Sequence, residues 1–540
     1  MSYVEGLTED LFELDADVVV VGSGAAATTA AVTAANEGSK VLILERAEQI
    51  GGTTALSGCG CWVPNNRYLR AEGLEDPKDP AMRYMASLAY PECYDPESPT
   101  LGLPDLEYRL IETTYDRGSE AIDYIVDCGA TRFVVDMATP DYFANHPENR
   151  VPYGRKIHPP ERQSASQSAA EAHLQRMLAF VESKGGLLRL NHRVVGLLRN
   201  EHGEVVGAEV HAGLRTILVR ARKAIVFGSG GFLHNADKRR QYLMGPTYGG
   251  CATPTAQGDF VDIAIDAGAP LGLMGSAWWY QVALEQVAET SVVTRGLTMP
   301  FGDAMIQVNK HGVRVINEKA PYNERGPIHF VWDGAEYPNL VLFSIYDDRV
   351  LDIPDISARR LPVPRRDEKV KHVISGETFD ELAEKISERL VEVRHLTGAA
   401  TLDPNFLPNL KATIARFNEF ARSGVDEDFG RGEEPVSSLW SPDLRDEAVN
   451  TMAPFDESGP YHCILLVAGA LDTKGGPRIN ERAQVLDTSG APISGLYGAG
   501  NCVASPTGRA YYGPGATIGS AMTFGYLAGL EASREATKPL

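Results

Sequence analysis

The sequence predicts an α/β protein built on a doubly wound parallel sheet, with a second domain inserted into the chain. Three observations support this fold class. Residues 18–21 are four consecutive valines, which is typical of a strand buried on both faces in a parallel sheet. The sequence GSGAAA at 22–27 follows directly, and small residues continue as a helix to residue 36. Residues 276–449 carry no such motif, so we expect them to form another domain.

The glycines after the first strand predict a dinucleotide site. Gly22 permits a tight turn, and Gly24 lets a pyrophosphate approach the backbone N–H groups at the helix N-terminus. A second strand, 40–44, ends in Glu45, about 20 residues further on, where a carboxylate can bind a ribose hydroxyl. Ala27 replaces the third glycine of the fingerprint. The alternative is an ordinary strand–helix turn without a ligand.

The loop after the second strand narrows the choice of ligand. Residues 51–58, GGTTALSG, are small and rich in hydroxyl groups, and simple NAD dehydrogenases have no such loop at this point. Small residues let the backbone approach a flavin, and Thr and Ser hydroxyls can donate to its phosphate or ring oxygens. The loop therefore predicts FAD, with a glycine-rich surface turn as the alternative.

Length, net charge and the distribution of apolar residues limit the number of domains, the possible partners and the location of the protein. A chain of 540 residues exceeds what one hydrophobic core usually serves, so two domains are expected. The net charge of −21 argues against nucleic acid or an anionic membrane surface as a partner. The N-terminus has no apolar signal region, and no run of 18 apolar residues follows, which predicts a cytoplasmic protein with at most loose membrane association.

Cysteine and histidine patterns predict no metal or redox centre. The seven cysteines are odd in number and scattered, which favours reduced thiols over a disulfide framework. Cys59 and Cys61 are interpreted as small packing residues, with a redox-active pair as the alternative. The twelve histidines show no metal-ligand spacing, so no metal site is expected.

Further elements of the first domain follow from local patterns. Residues 67–165 look helical and rich in loops, and 187–210 read as two strands turned at His202 and Gly203. Residues 224–232 read as a strand ending in glycines. Residues 256–271 read as a helix with Asp259 in its first turn, where its carboxylate can face a ribityl hydroxyl.

The rest of the chain divides at two boundaries. We expect residues 1–275 and 450–540 to form the cofactor domain and 276–449 an α+β substrate domain. Within the latter, 306–308 and 313–316 predict a hairpin, Thr378 and Glu381 a capping box, and 407–422 a helix. A last helix, 520–532, is opened by 513–519, and its N-terminus can stabilise the reduced anion of a flavin.

Six blocks recur in order in one known family: 22–26, 51–66, 308–322, 473–480, 495–501 and 513–529. Over nearly its whole length the chain resembles the FAD-dependent 3-ketosteroid dehydrogenase group, a branch of the fumarate reductase/succinate dehydrogenase flavoprotein superfamily. The resemblance implies a Rossmann-like FAD-binding domain with an inserted α+β catalytic (cap) domain. It also implies a set of FAD contacts: Gly22, Gly24, Ala25, Ala26, Glu45, Arg46, Gly52, Thr53, Thr54, Ala55, Gly58, Cys59, Gly60, Val194, Gly230, Asp259, Gly500, Asn501, Ala516, Thr517 and Ile518.

The resemblance also implies a set of tyrosines that act on a small hydrophobic ketone, in this family a steroid. Tyr511 and the N–H of Gly515 would hold the C3 carbonyl oxygen, and Tyr322 would remove the proton beside it. Tyr142 is the supporting tyrosine, although the sequence around it diverges from the family. Tyr512 can exchange roles with Tyr511. Dehydrogenation at the 1,2 position is favoured over 4,5, with electrons passing to an external, quinone-like acceptor.

Two other functions remain open at this point. A fumarate-reductase-like enzyme would carry an arginine just before the final glycine-rich turn, but Tyr512 occupies that position, and Arg509 is the remaining candidate for an anion clamp. A flavin-dependent sensor or electron carrier is the non-catalytic alternative. Trp278, Trp279 and Tyr280 are interpreted as packing, with a steroid-lining surface as the alternative. The sequence leaves the oligomeric state open.

Overall fold

The computed structural model describes residues 7–151, 153–160, 168–293, 302–353, 362–441 and 451–540. In chain order the strands are Phe12–Val21 (β1), Val41–Leu44 (β2), Cys61–Trp62 (β3), Val134–Val135 (β4), Lys156–His158 (β5), Leu187–Arg189 (β6), His192–Arg199 (β7), Val205–Ala212 (β8), Arg215–Phe227 (β9), Leu271–Gly272 (β10), Ala277–Ala283 (β11), Met305–Val308 (β12), Leu342–Asp347 (β13), Val373–Gly376 (β14), Tyr461–Thr473 (β15), Gly476–Pro477 (β16), Gln484–Leu486 (β17) and Pro492–Gly498 (β18).

The α-helices, again in chain order, are Ala25–Asn36 (α1), Gly52–Ala55 (α2), Arg67–Ala71 (α3), Lys78–Ala89 (α4), Asp105–Asp127 (α5), Ala169–Ser183 (α6), Ala236–Tyr242 (α7), Asp259–Asp266 (α8), Leu284–Glu289 (α9), Tyr322–Arg325 (α10), Phe379–Glu392 (α11), Arg394–Thr397 (α12), Phe406–Ser423 (α13) and Ala516–Arg534 (α14). Within the described ranges, none of these helices is long and apolar enough to cross a membrane.

The chain forms two compact units, of which the first comprises residues 1–238, 252–277 and 472–540. Its main sheet has the strand order β17-β18-β9-β1-β2-β6. β1 lies parallel to β2 and to β9, and β18 lies parallel to β9. The consecutive valines of β1 are buried, because helices cover both faces of a parallel sheet. This arrangement confirms the predicted doubly wound α/β sheet.

Small residues let the helices of this unit approach closely. α1 packs along α14, and a Cβ on Gly529 would overlap the Ala30 carbonyl oxygen of α1. β1, α1 and β2 form a βαβ unit, whose crossover leaves the N-terminus of α1 at the carboxyl end of β1. β7, β8 and the first half of β9 extend the sheet as an antiparallel meander. The predicted turn at His202 and Gly203 lies between β7 and β8.

The second unit comprises residues 239–251 and 278–471. Its sheet has the order β11-β15-β13-β12, and β14 pairs with β15 as well. β13 is antiparallel to both β12 and β15. α11 begins after Thr378, whose hydroxyl accepts a hydrogen bond from the Glu381 N–H and so caps the helix. The predicted capping box is only half formed, because the Glu381 carboxylate accepts from the Glu377 N–H and not from the Thr378 N–H.

The two units divide the chain at different residues from the predicted domains. Residues 451–471 lie in the second unit, because β15 pairs with β13 and β14 there. Residues 239–251 join the same unit, since the Tyr248 and Cys251 N–H groups donate to Ala468 and Ala470 carbonyls. The assignment of cofactor binding to one domain and substrate binding to the other stays a prediction.

Three predicted elements differ from the structure. The hairpin over 306–316 is reduced to one tight turn, in which the Asn309 N–H donates to the Val313 carbonyl at 3.0 Å and Val308 forms an isolated antiparallel bridge with Arg314. Residues 313–316 form no strand, and β12 pairs along its length with β13. The helix predicted over 256–271 is limited to α8, because Gly258 and Gly268 adopt left-handed conformations at its two ends. The strand predicted over 224–232 ends at Phe227, where the glycine turn begins.

Candidate active site

The predicted pyrophosphate position lies where β1 ends and α1 begins. Gly22 has φ +104°, and a Cβ there would lie 2.6 Å from the Gly228 carbonyl oxygen at the end of β9, so only glycine fits. Across the loop, the Thr54 hydroxyl accepts from the Ala25 N–H at 3.0 Å. Thr54 therefore lies over the first turn of α1, where N–H groups without intrahelical partners attract anions.

Hydrogen bonds from neighbouring residues fix the position of the Glu45 carboxylate. Its buried carboxylate accepts from the Ser23 hydroxyl at 2.7 Å and from the Ala47 N–H at 2.8 Å. The same Ser23 oxygen accepts from the Gly51 N–H at 2.8 Å, which ties the glycine fingerprint to the 51–58 loop. A carboxylate has more acceptor sites than these two bonds use, so ribose hydroxyls can still donate to it. Sequence reasoning missed Ser23, although it lies within the fingerprint itself.

We predict that Glu45→Gln weakens FAD binding by about 10-fold to 150-fold, because the variant loses a charge-assisted hydrogen bond to ribose worth about 1.5–3 kcal/mol. Titration of the apoprotein with FAD, followed by flavin fluorescence, measures the change. Glu48→Gln, an exposed carboxylate on the same loop, is the control. An unchanged FAD dissociation constant in Glu45→Gln would remove this residue from the site.

The 51–60 loop, which carries several predicted flavin contacts, has three residues with positive φ. Gly51 and Gly52 have φ of +100° and +49°, and Cys59, a non-glycine residue, has φ +53°. Cys59 and Cys61 are both buried, and burial raises the pKa of the Cys59 thiol to about 12. Burial likewise raises the pKa of Cys61. Thiols held protonated in this way favour packing over redox chemistry.

We predict that FAD is bound noncovalently. Covalent members of the resembled family use a histidine near this loop, and residues 47–66 contain none. Heat or acid precipitation should therefore release all of the yellow flavin into the supernatant. Flavin that stays on the washed precipitate would contradict the prediction, and a mass spectrum of the intact denatured chain gives an independent check.

A buried carboxylate that the sequence analysis did not select organises two other predicted contacts. Asp472, on β15, accepts from the Gly231 N–H at 2.9 Å, beside Gly230, and from the Asn501 side chain at 3.2 Å. Burial raises the pKa of Asp472. Asp472 thus joins the turn after β9 to the turn after β18, which also contains Gly500. The only sign of Asp472 in the sequence is its position one residue before the family block at 473–480, TKGGPRIN.

Asp259, predicted to face a ribityl hydroxyl, forms ion pairs with two arginines. Its carboxylate accepts from Arg46 Nη1 at 2.8 Å and from Arg193 Nη2 at 2.7 Å. Arg46 follows β2, and Arg193 precedes Val194 on β7, so the carboxylate links three elements of this unit. The ribityl contact proposed for Asp259 stays a prediction, and the two guanidinium groups compete for the same oxygens.

The start of α14 has features that fit a flavin ring. Gly515 is the N-cap with φ +98°, and a Cβ there would overlap the Gly60 carbonyl, so the 58–60 loop and α14 come into direct contact. The Thr517 hydroxyl is buried and has no hydrogen-bond partner among the described residues. Buried hydroxyls are normally paired, so this one fits a ligand group that donates or accepts there. Ala516, Thr517 and Ile518 form the first turn, where the helix dipole favours negative charge.

The structure brings three of the predicted tyrosines together. The rings of Tyr511 and Tyr142 are 5.4 Å apart. The Tyr512 carbonyl accepts from the Tyr84 hydroxyl at 3.0 Å and from the Tyr142 N–H at 3.1 Å. The Tyr512 ring packs on Trp62 at 4.9 Å, and burial raises the pKa of its hydroxyl. Tyr512 therefore has the surroundings of a structural residue.

A fully buried arginine braces this tyrosine cluster. Arg155 donates to Asp76 at 2.7 and 2.8 Å and also to Asp141. Asp141 in turn accepts from the Trp62 indole N–H at 2.8 Å, and Tyr142 follows it directly. Removing one partner from such a buried pair costs about 3–5 kcal/mol, so the loop that carries Tyr142 is firmly fixed. No local pattern in the sequence indicates that this charge is buried.

Tyr322 belongs to the second unit, where it begins α10 and is 6% exposed. Arg325 holds the preceding turn: its Nε donates to the Ala320 carbonyl at 3.1 Å, and its Nη1 donates to Gln281 at 2.8 Å. The Trp279 N–H donates to the Asn323 side chain at 3.0 Å. Trp278, Trp279 and Tyr280 are buried in β11. The short helix that carries Tyr322 is thus anchored on both sides by buried polar groups.

Arg509, the alternative anion clamp, lies on the surface. Its side chain is 58% exposed, and its nearest carboxylate is Glu92 at 3.8 Å. An exposed guanidinium is a weak clamp, because solvent screens its attraction for an anion. Among the described residues, no group of three or more His, Cys, Asp or Glu side chains could hold a metal ion.

Comparisons with known proteins agree with this geometry. Residues 17–518 match the FAD binding domain family. A 3-oxosteroid 1-dehydrogenase of Mycolicibacterium smegmatis is 30% identical, over 95% of this chain and 96% of that protein. A 4-oxocyclohexanecarboxylate 2-dehydrogenase of Sinomonas cyclohexanicum is 29% identical, over 98% and 94%. A 3-ketosteroid delta1-dehydrogenase structure from Sterolibacterium denitrificans has the same fold, with a TM-score of 0.82 at 24% identity, covering 96% of this chain and 99% of that one.

Proposed function

The chain belongs to the FAD-dependent 3-ketosteroid dehydrogenase group of the fumarate reductase/succinate dehydrogenase flavoprotein superfamily, and from this premise we propose that it desaturates a 3-keto steroid beside its carbonyl. It is a flavoprotein oxidoreductase whose cofactor is FAD. One observation carries the proposal. The ring of Tyr511, four residues before Gly515 at the start of α14, packs against the ring of Tyr142. We favour 1,2-dehydrogenation, in line with the name of the relative that is 30% identical.

Desaturation next to a ketone needs three tasks. The Tyr511 hydroxyl and the Gly515 N–H donate to the ketone oxygen, which acidifies the adjacent carbon; each such donor contributes about 3 kcal/mol in comparable sites. The Tyr322 oxygen, as phenolate, takes a proton from that carbon. FAD held by the residues assigned above would supply the acceptor for the hydride on the next carbon. Loss of one proton and one hydride forms the new C=C bond.

Tyr142 and Tyr512 have supporting roles in this proposal. The Tyr142 ring packs against Tyr511, and its N–H holds the Tyr512 carbonyl, so it fixes the direction of the Tyr511 side chain. Tyr512 fills the core between Trp62 and Tyr84. We therefore assign the donor role to Tyr511.

A smaller cyclic ketone is the second candidate substrate. The Sinomonas relative is named for a 4-oxocyclohexanecarboxylate, and its identity to this chain is nearly that of the steroid enzyme. Both substrates share a six-membered ring with a ketone, so the same three tasks apply. A carboxylate on the ring would need a cation, whereas an uncharged steroid would not. The exposed position of Arg509 favours the steroid over this acid and over a fumarate-like dicarboxylate.

Anaerobic mixing with androst-4-ene-3,17-dione tests the proposal. Bleaching of the flavin absorbance band, with a product two mass units lighter, is the expected result. 4-Oxocyclohexanecarboxylate in a parallel mixture, and fumarate-dependent reoxidation of the reduced flavin, test the other substrates. Bleaching by the cyclohexane acid alone would move the substrate to that class, and reoxidation by fumarate would make the enzyme a reductase.

Product analysis and acceptor screening complete the assignment. A saturated 3-keto steroid can lose hydrogen at either the 1,2 or the 4,5 position, so the position of the new double bond in its product decides the regiochemistry. We propose a quinone-like external electron acceptor and a cytoplasmic location, and a comparison of quinones with dye acceptors measures the preference.

A further inference from the structure

A buried lysine holds the turn that precedes Tyr511. Lys474 is 1% exposed, and its ammonium group donates to the Ala510 carbonyl at 2.9 Å, to the Gly508 carbonyl at 3.5 Å and to the Arg509 carbonyl. Three successive carbonyls thus converge on one cation, immediately before the proposed donor to the ketone. The TKGGPRIN block at 473–480 contains this lysine, and nothing in the proposed chemistry yet uses it.

The backbone of Lys474 is itself fixed. Its N–H donates to the Ser276 carbonyl at 3.0 Å, and its carbonyl accepts from the Ser505 N–H at 2.9 Å. A Cβ on Gly475 would lie 2.6 Å from the Met274 Cα, and one on Gly476 would overlap the Cys502 carbonyl, so both glycines allow close backbone packing. The ammonium group therefore has a defined position from which it can orient the turn.

The other side of Tyr511 is held independently. The Tyr512 carbonyl accepts from the Tyr84 hydroxyl and the Tyr142 N–H, at 3.0 and 3.1 Å. Tyr511 thus lies between two anchored peptide segments, one held by Lys474 and one held by Tyr84 and Tyr142. The backbone torsions of Tyr511 are constrained from both ends, and with them the direction of its side chain.

We propose that Lys474 is a positioning residue for Tyr511, which fixes the tyrosine hydroxyl against the ketone oxygen; this inference rests on the proposed function. Displacement of a reacting or binding group by about 1 Å can cost on the order of 10²-fold in rate. Loss of the cation frees the 508–510 carbonyls and lets the turn shift. The alternative is that Lys474 only satisfies buried carbonyls and contributes nothing specific to Tyr511.

Lys538 is a matched control for this alternative. It is 5% exposed in the same unit, and its ammonium group donates to the Lys223 carbonyl and to Glu535 at 3.0 Å. It lies outside every segment assigned to the site. A general cost of removing a buried lysine that binds backbone carbonyls should therefore appear equally in Lys538→Met and Lys474→Met.

The test is a double-mutant cycle on the rate of flavin reduction by androst-4-ene-3,17-dione. Lys474→Met should slow reduction by about 10-fold to 100-fold. Reoxidation of the flavin by a dye acceptor should stay unchanged, because that reaction does not use the donors to the ketone oxygen. In a Tyr511→Phe background the same substitution should cost less than about 3-fold, because residues that act through one another are not additive. Lys538→Met should stay near the wild-type rate.

Hydrogen exchange of peptides from 505–516 gives a readout that needs no substrate. Faster exchange in Lys474→Met than in Lys538→Met is expected. If Lys474→Met loses its flavin, Lys474→Gln, whose amide can still donate to a carbonyl, replaces it in both experiments. Additive effects with Tyr511→Phe, a loss equal to that of Lys538→Met, or unchanged exchange would each overturn the inference. Failure of the proposed function is separate, since wild-type flavin would then not be bleached by the steroid, while exchange would still test Lys474.

Discussion

Tyr322→Phe should reduce the rate of flavin reduction by a 3-keto steroid about 10²-fold to 10⁴-fold, with FAD still bound. The variant lacks the oxygen that we propose as the base, so the proton beside the carbonyl has no acceptor. Its ring can still occupy the buried position at the start of α10, because the hydrogen bonds from Arg325 to the Ala320 carbonyl and from the Trp279 N–H to Asn323 hold this short helix without the hydroxyl. The loss should fall on the chemical step and leave substrate affinity nearly unchanged.

The pH dependence gives this prediction a second readout. Only the phenolate form of a tyrosine can accept the proton, so the wild-type rate should rise with pH as the base loses its own proton. Tyr322→Phe should lose this rise. Anaerobic stopped-flow reduction of the flavin between neutral and alkaline pH measures both effects.

Tyr337→Phe is the control for Tyr322→Phe. Tyr337 is a half-buried tyrosine of the same unit whose ring packs on Trp332 at 5.0 Å, outside the proposed site. It should keep the wild-type rate and the wild-type pH profile. A Tyr322→Phe enzyme that still reduces its flavin at nearly the wild-type rate would assign the base to another group.

The parts of the fold that the sequence predicted are those with local causes. β1, α1 and β2 follow from a valine run, a glycine turn and small residues, all within about 30 residues, which is the size of a βαβ unit. Glu45 was predicted for the same reason: the strand before it fixes its place relative to the glycines. The capping threonine Thr378 is equally local, since it acts on a backbone N–H three residues away.

The parts that were missed depend on contacts between distant segments. The predicted hairpin over 306–316 forms only a turn with a single bridge, and β12 pairs along its length with β13, over 30 residues further along. Strand propensity indicates that a segment is extended and does not identify its partner. The predicted boundary at residue 450 differs from the structure for the same reason: residues 461–471 of β15 group with the second unit, because the partner strands β13 and β14 precede them by about a hundred residues.

Apart from Ser23, the missed residues around the site are buried charged groups. Arg155, Asp472 and Lys474 are each at most 1% exposed, whereas charged residues are almost always exposed unless they are paired. Their partners are backbone groups and carboxylates from other segments, such as Asp76 for Arg155 and the 508–510 carbonyls for Lys474. No periodicity or local motif signals such a partner. Only the folded chain identifies Arg155 and Lys474 as supports of the tyrosines, and Asp472 as the link between the turns after β9 and β18.

Tyr511→Phe should slow flavin reduction by a 3-keto steroid about 10²-fold to 10³-fold and weaken substrate binding. The variant loses one of the two proposed donors to the ketone oxygen, while the Gly515 N–H remains, so its loss should be smaller than that of Tyr322→Phe. The ring still packs on Tyr142, and no contact of the cofactor is assigned to the hydroxyl. FAD content should therefore match the wild type.

Tyr512→Phe separates the two neighbouring tyrosines. The Tyr512 hydroxyl lies 3.5 Å from the Thr507 carbonyl oxygen in the core, and the backbone carbonyl of Tyr512, which Tyr84 and Tyr142 hold, is unchanged by the substitution. We expect a much smaller loss than in Tyr511→Phe. Tyr526→Phe, further along α14 with its hydroxyl on Glu120, is the matched control. Stopped-flow reduction across a range of steroid concentrations separates the rate from the affinity. The reverse order, a large loss in Tyr512→Phe with little in Tyr511→Phe, would transfer the donor role to Tyr512, and Lys474 would then hold the wrong side of the turn to act as proposed.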